Sequence, residues 1–429
     1  MEKNIDVLVI GAGPSGSILS SLLHKSGLDV LVVDKEIFPR FVIGESLLPF
    51  CMHAMEQADL LDAVMDNEEK LGFQYKNGAA FARGADDNSI EYTYIDFCDK
   101  SSKGFGTTFQ VRRGVFDKLL IDTAAKNGVN VLFGVKADKF DFNEDENGHI
   151  TIGLDNGDII KAKYVVDGSG YGRVLPKALN LDTPSDLTPK IAYFTHIEDK
   201  ISHPMYDRDK ILITTHPEHK EIWFWLIPFS DGRCSIGVVG EKQFIFSGDT
   251  AKFLNEQDLK ANAMEILKTH VYKTPMLKML LKDASWDTPA NFIYGYSSNV
   301  TKFYDKHFVL LGNAGEFLDP VFSSGVTIAM HAATLLAPLV TRIIKGESVD
   351  MTKEYVEPLA VGIKAFKTYV NGWYDGTFQD VIYTKCKDHS ITRQISSVLA
   401  GYAWDNENPF VTKSDKALHA LHKICKNQA

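Results

Sequence analysis

Gly11, Gly13 and Gly16 stand in the string Gly11-Ala12-Gly13-Pro14-Ser15-Gly16, directly after the apolar run Val7-Leu8-Val9-Ile10. Strand, glycine turn and helix in that order suit a dinucleotide pyrophosphate. Gly11 permits a tight turn, Gly13 lets the backbone approach the phosphates, and Gly16 lets helix and strand pack closely. The helix start adds backbone N–H groups and partial positive charge. Asp34, after the apolar run Val30–Val33, is placed to accept hydrogen bonds from the adenosine ribose. The glycine turn alone does not separate FAD from NAD. Trp223 and Trp225, in Trp223-Phe224-Trp225-Leu226-Ile227-Pro228, share one face of a strand; an isolated pair of this kind is ordinary core packing. In Phe317-Leu318-Asp319-Pro320-Val321-Phe322-Ser323-Ser324-Gly325, the N–H groups ahead of a long helix suit an anion. Ser323 or Ser324 could also cap that helix. Lys76, in Gly72-Phe73-Gln74-Tyr75-Lys76-Asn77-Gly78-Ala79-Ala80-Phe81, taken alone is a surface strand lysine.

The elements that must position these residues follow from periodicity. Residues 5–34 read as strand, turn, helix and strand. Short strands with glycine and aromatic residues follow from 71 to 110, a helix over 115–127 and a strand over 129–133. A hairpin turns at Asp155-Asn156-Gly157. Aromatic-rich strands occupy 190–240, helices 258–282, and Phe308–Leu311 forms another buried strand before Gly312. The tail from about 346 reads as amphipathic helices. The fold class expected is α/β: a Rossmann-like dinucleotide-binding domain over 1–70, 105–185 and 290–345, interleaved with a mixed β-sheet substrate domain over 71–104 and 186–289. A helical C-terminal region fills 346–429.

The 429 residues are 45% hydrophobic, enough for more than one packed unit. A net charge of -10 argues against broad nucleic-acid binding. Five scattered cysteines (Cys51, Cys98, Cys234, Cys386 and Cys425) have no metal spacing and suit reduced thiols in a cytoplasmic protein. No metal site is expected. The given sequence leads straight into a strand, so no signal peptide is expected. The apolar stretch Gly325–Ile344 is broken by His331, Pro338 and Arg342, so a buried helix is expected rather than a membrane span.

Further strings separate FAD from NAD. Gly44-Glu45-Ser46-Leu47-Leu48-Pro49 follows Phe38-Pro39-Arg40, and Arg113-Gly114-Val115-Phe116-Asp117 opens a helix. Tyr164-Val165-Val166-Asp167-Gly168-Ser169-Gly170 ends a strand in a glycine turn, and Gly312-Asn313-Ala314-Gly315 follows the last buried strand. Over residues 1–345 the chain resembles the flavoprotein monooxygenase superfamily, which includes p-hydroxybenzoate hydroxylase and the geranylgeranyl reductases. That resemblance implies FAD held by Gly11, Gly13, Ser15, Gly16 and Asp34. Arg40, Glu45, Ser46, Arg113 and Asp167 would lie around it, and Gly312 and Asn313 would meet the ribityl chain. Asn313 replaces the usual aspartate there. Asp167 to Gly172 also reads as a structural turn, since no second ribose-binding acid follows.

Within that superfamily, Trp223-x-Trp225-x-Ile227-Pro228 resembles the signature of the flavin-dependent halogenases, whose tryptophans are held to keep substrate from the flavin. Phe317-x-x-Pro320-x-x-Ser323-x-Gly325 matches their anion string, which implies chloride or bromide at Ser324 and Gly325. The segment around Lys76 resembles the one carrying the halogenase lysine, whose amine aims electrophilic halogen at the substrate. The resemblance implies FADH2- and O2-dependent halogenation of an electron-rich aromatic ring through a flavin hydroperoxide and hypohalous acid. It also implies a separate flavin reductase, since one dinucleotide fingerprint is visible. Lys76 belongs to the interrupting sheet segment and the flavin to the glycine turns, so their tasks should be separate.

Tryptophan halogenases carry a glutamate two residues after the anion-string proline, where this chain has Phe322, and the chain lacks indole-specific insertions. The match is closer to halogenases of phenols, pyrroles and carrier-tethered acyl groups. Basic residues in the tail (Lys385, Lys387, Arg393, Lys413, Lys416, Lys423 and Lys426) would suit docking of an acidic carrier protein. Trp373, Tyr374, Phe378 and Tyr383 could line an aromatic pocket, although core packing is the simpler reading. Two other readings remain: a monooxygenase or prenyl-chain reductase of the same superfamily, and a flavin-binding partner protein without turnover.

Overall fold

The apolar run Val7–Ile10 ends strand Glu2–Ile10, which lies inside the larger of two main sheets. The computed structural model describes residues 2–253, 256–384 and 388–427. Glu2–Ile10 pairs in parallel with Val30–Asp34 on one side and Ile159–Asp167 on the other. Asn130–Phe133 continues the sheet beyond Val30–Asp34, and Phe308–Leu310 and Tyr304–Asp305 continue it beyond Ile159–Asp167. Val7 and Val9 face one core while Leu8 and Ile10 face another, as a strand covered on both faces requires. Helices Pro14–Lys25 and Ser324–Ile344 pack together on the first of these faces.

A second sheet runs in the order Asn291–Tyr294, Lys190–Glu198, Arg233–Glu241, Trp223–Pro228, Lys210–Thr215, Gly78–Arg83 and Glu91–Asp96. Its pairings are antiparallel except that between Lys210–Thr215 and Gly78–Arg83. Alternation sorts the side chains. Trp223, Trp225 and Ile227 join the core shared with the first sheet, while Phe224 and Leu226 face a separate core under helix Ala263–Lys273. Asn291–Tyr294 pairs with Lys190–Glu198, so this strand lies in the second sheet, just past the expected boundary at residue 289. The chain rejoins the first sheet only at Tyr304.

Apart from the two main sheets, Gln74–Lys76 and Thr108–Gln110 form a short antiparallel ribbon. The tail folds as helices, including Glu357–Asp375, Thr377–Tyr383, His389–Leu399 and Ser414–Lys426. Helix Ser324–Ile344 is long and apolar enough to cross a membrane, but 61% of its most apolar window is buried inside the protein.

Candidate active site

A cavity of about 980 Å³ runs from the glycine turn to the second sheet. Gly11, Gly13, Ser15 and Asp34 line one end, and Trp223, Trp225, Ile227, Pro320, Ser323 and Gly325 line the other. Arg40, Glu45, Ser46, Arg113 and Asn313 lie along its wall.

The glycine turn has the shape its sequence requires. Gly11 has φ +101°, and a Cβ there would stand 2.6 Å from the Gly168 carbonyl oxygen. A Cβ on Gly16 would sit 1.9 Å from the Gly11 carbonyl oxygen, so Gly16 serves packing rather than the cavity wall. A Cβ on Gly13 would meet only the Arg40 guanidinium, at 3.5 Å, and its cavity side is open. Asp34 Oδ2 accepts a hydrogen bond from the Ala12 N–H at 2.8 Å, so the carboxylate shapes the turn as well as lining the cavity. These residues fit a dinucleotide: an open backbone cradle at a helix start, with an acid one strand away.

Two of the expected flavin neighbours share an anchor. Asp117 accepts from Arg113 Nε at 2.7 Å and from Arg40 at 3.0 Å. Arg113 also donates to the Ile43 and Gly44 carbonyls, which holds the loop before Glu45. The i,i+4 spacing of Arg113 and Asp117 is a signal that the sequence contains. Glu45 is buried, and its Oε1 lies 2.8 Å from His196 Nε2 on a strand of the second sheet. Nothing local in the sequence points to that pair.

Asp167 departs from the expected set. Its carboxylate is fully buried, accepting from the Ser169 and Leu175 N–H groups at 2.9 and 2.7 Å, and it does not line the cavity. The structural-turn reading describes it better, while Gly168 to Gly172 border the cavity. Gly312 likewise sits behind the wall: its φ is +58°, and a Cβ would stand 2.7 Å from Ala329 Cβ.

Trp223 and Trp225 share the cavity face, with ring centroids 5.9 Å apart. The Trp225 indole lies over its cross-strand partner Gly237, where a Cβ would clash at 2.2 Å, and its N–H donates to Ser235 Oγ at 3.0 Å. Pro228 ends the strand outside the cavity. Along the anion string, Ser323 adopts φ +57° at the helix start and its side chain makes no capping hydrogen bond, so the alternative reading of a Ser323 cap does not hold. Gly325 lines the cavity, while Ser324 is buried just behind it. Phe322 packs edge-on against Trp373 and Phe378 at 5.8 and 5.4 Å, and this aromatic cluster fills the place of the missing glutamate. Trp373 and Phe378 are therefore core residues, as the simpler reading held, and neither Tyr374 nor Tyr383 lines the cavity.

Lys76 is not a surface lysine. It is fully buried, and its ammonium donates to the Leu47 carbonyl at 2.6 Å and to Ser46 Oγ at 2.8 Å. Burial pushes its pKa down to about 7, partly opposed by Cys51. It does not itself line the cavity, but Ser46 does. The separation expected between Lys76 and the flavin side is therefore only one hydrogen bond deep.

The family model described as Tryptophan halogenase matches residues 6–99 and 83–420. The chain belongs to this family. It is an FAD-dependent oxidoreductase of the flavin-dependent halogenases, whose reaction draws on FADH2, halide and O2. A 1H-pyrrole-2-carbonyl-[peptidyl-carrier protein] chlorinase of Pseudomonas fluorescens is 28% identical, over 87% of this chain and 84% of that protein. A solved flavoprotein/dehydrogenase from Cytophaga hutchinsonii is 40% identical with a TM-score of 0.88, covering 99% of this chain and 100% of that one. A flavin-dependent brominase shares the fold at a TM-score of 0.79 and 23% identity, covering 100% of both chains.

Proposed function

We propose that this halogenase acts on an electron-rich ring, a phenol, a pyrrole or a carrier-tethered acyl group, with Lys76 as the residue that transfers halogen. The observation that carries this reading is a buried amine with its pKa near 7, one hydrogen bond behind the cavity wall. Near neutral pH such an amine is half unprotonated and nucleophilic. FADH2 held by the cavity residues would supply two electrons and two protons to O2, which with halide and one further proton would give FAD, hypohalous acid and water. The Lys76 amine and hypohalous acid form an N–halogen bond and release water. The ring then takes the halogen, and its proton leaves as the free amine is restored. Protonated Lys76 can instead orient hypohalous acid by hydrogen bonding.

In the same reading, backbone N–H groups at Ser324 and Gly325 hold chloride or bromide. Trp223 and Trp225 wall the cavity with Ile227, and Phe317 packs beside Gly325, where a Cβ would lie 3.2 Å from its ring. Gly11, Gly13, Ser15, Asp34, Arg40, Glu45, Ser46, Arg113 and Asn313 surround the flavin, supported by Gly16, Asp167 and Gly312. The flavin unit comprises 1–70, 105–185 and 295–345, with the second sheet as the substrate unit and the tail as its helical cover.

A separate reductase supplies FADH2 in the cytoplasm. Exposed Lys413, Lys416, Lys423 and Lys426 offer a basic face to a carrier protein. Arg393 instead pairs with Asp99 at 3.2 Å, and Lys385 and Lys387 lie outside the described residues. The test is product mass from phenols and pyrroles, free and carrier-tethered, with bromide, O2, NADH and a flavin reductase. Halogenated products support the proposal; hydroxylated products with NADH oxidation by the isolated protein would replace it with the monooxygenase reading.

A further inference from the structure

Trp223 and the anion string are joined by a chain of hydrogen bonds that neither motif contains. The Trp223 indole N–H donates to the Tyr374 hydroxyl at 2.8 Å. Tyr374 in turn donates to Asp319 Oδ2 at 2.9 Å, and Asp319 Oδ1 accepts from the Val321 N–H at 3.1 Å. The three side chains come from the second sheet, helix Glu357–Asp375 and the turn before helix Ser324–Ile344. Asp319 and Trp223 are buried, and buried Lys190 stands 3.9 Å from the Tyr374 ring centre; burial raises the Asp319 pKa, and the Lys190 charge only partly opposes it.

We propose that Tyr374 is a positioning residue for halogenation: it holds the Trp223 indole in the cavity wall and ties it, through Asp319, to the turn that leads into the anion site. An indole N–H can only donate, so the Tyr374 hydroxyl accepts from Trp223 and turns its own proton to Asp319, which fixes the direction of the chain. Without the Tyr374 hydroxyl, a buried indole N–H loses its partner and the ring loses the contact that sets its angle. Trp225 packs on Trp223, so the disturbance reaches both rings of the cavity wall.

The test is a double-mutant cycle on the full chain with Tyr374→Phe, Trp223→Phe and the pair. Urea unfolding is measured without flavin, and brominated resorcinol per FADH2 oxidised is measured with a flavin reductase. The activity arm rests on the proposed halogenation; the unfolding arm does not. Tyr374→Phe is expected to raise the unfolding equilibrium constant about tenfold. It should lower the product ratio about threefold or more, with FAD affinity within about twofold of the parent's. In the Trp223→Phe background it should cost less in unfolding and leave the product ratio where it is. Equal costs in both backgrounds, or an unchanged product ratio in Tyr374→Phe, would overturn the proposal. Coupled unfolding with no brominated product from the parent supports the link and counts against the halogenation reading instead.

Discussion

Lys76→Met keeps an unbranched side chain of similar length and removes the amine. In the folded parent, burial takes the Lys76 pKa from 10.5 to about 7. In the unfolded chain the group returns to its ordinary value. Between those limits the unfolded state binds a proton that the folded state lacks, so the stability of the parent rises with pH by about 1.4 kcal/mol per unit. Over the whole interval this comes to roughly 5 kcal/mol. Below pH 7 both states are protonated and the full cost of burying an ammonium is present. Lys76→Met escapes that cost but leaves Ser46 Oγ and the Leu47 carbonyl without their donor, a loss of about 1–3 kcal/mol. The variant should therefore match or exceed the parent in stability at pH 6, and the parent should gain on it steadily from pH 7 upward. Urea unfolding of both proteins at pH 6, 7, 8 and 9 reads this directly. Halogenated product should fall on the order of 10²-fold while oxygen uptake continues. A stability difference that stays flat between pH 7 and 9 would refute the assigned ionisation, and a variant that halogenates at the parent rate would refute the role.

Gly13→Leu should lose FAD affinity by about tenfold or more in a fluorescence titration, because the side chain beyond Cβ must enter the cradle. Asp34→Ala should weaken FAD binding and also lower the stability of the flavin-free chain by about 1 kcal/mol, since Ala12 N–H loses its acceptor; a purely ligand-side role would leave that stability unchanged. Gly325→Val should suppress halogenation while leaving flavin binding, because its side chain must displace the Phe317 ring; product yield against FAD affinity separates the two effects. The isolated protein should oxidise NADH slowly with FAD present, and fast substrate-stimulated oxidation would contradict a separate reductase.

The glycine turn, the strand carrying Trp223 and Trp225, and the helix after the anion string were all legible in the sequence. Each depends on backbone conformation or side-chain alternation within a few residues, which the local residue types dictate. Membership of the halogenases was legible for the same reason, since its motifs are short and contiguous. The state of Lys76 was not: an isolated strand lysine reads as exposed, and only its burial in the folded chain removes water from the amine and lowers its pKa. Asp167 stood among the flavin neighbours that the resemblance implies, yet its carboxylate accepts from the Ser169 and Leu175 N–H groups and closes a turn. The Glu45–His196 pair and the Trp223–Tyr374–Asp319 chain join residues more than fifty positions apart. Burial, ionisation and hydrogen-bond partners depend on which segments meet in space, and that was decided by the tertiary structure alone.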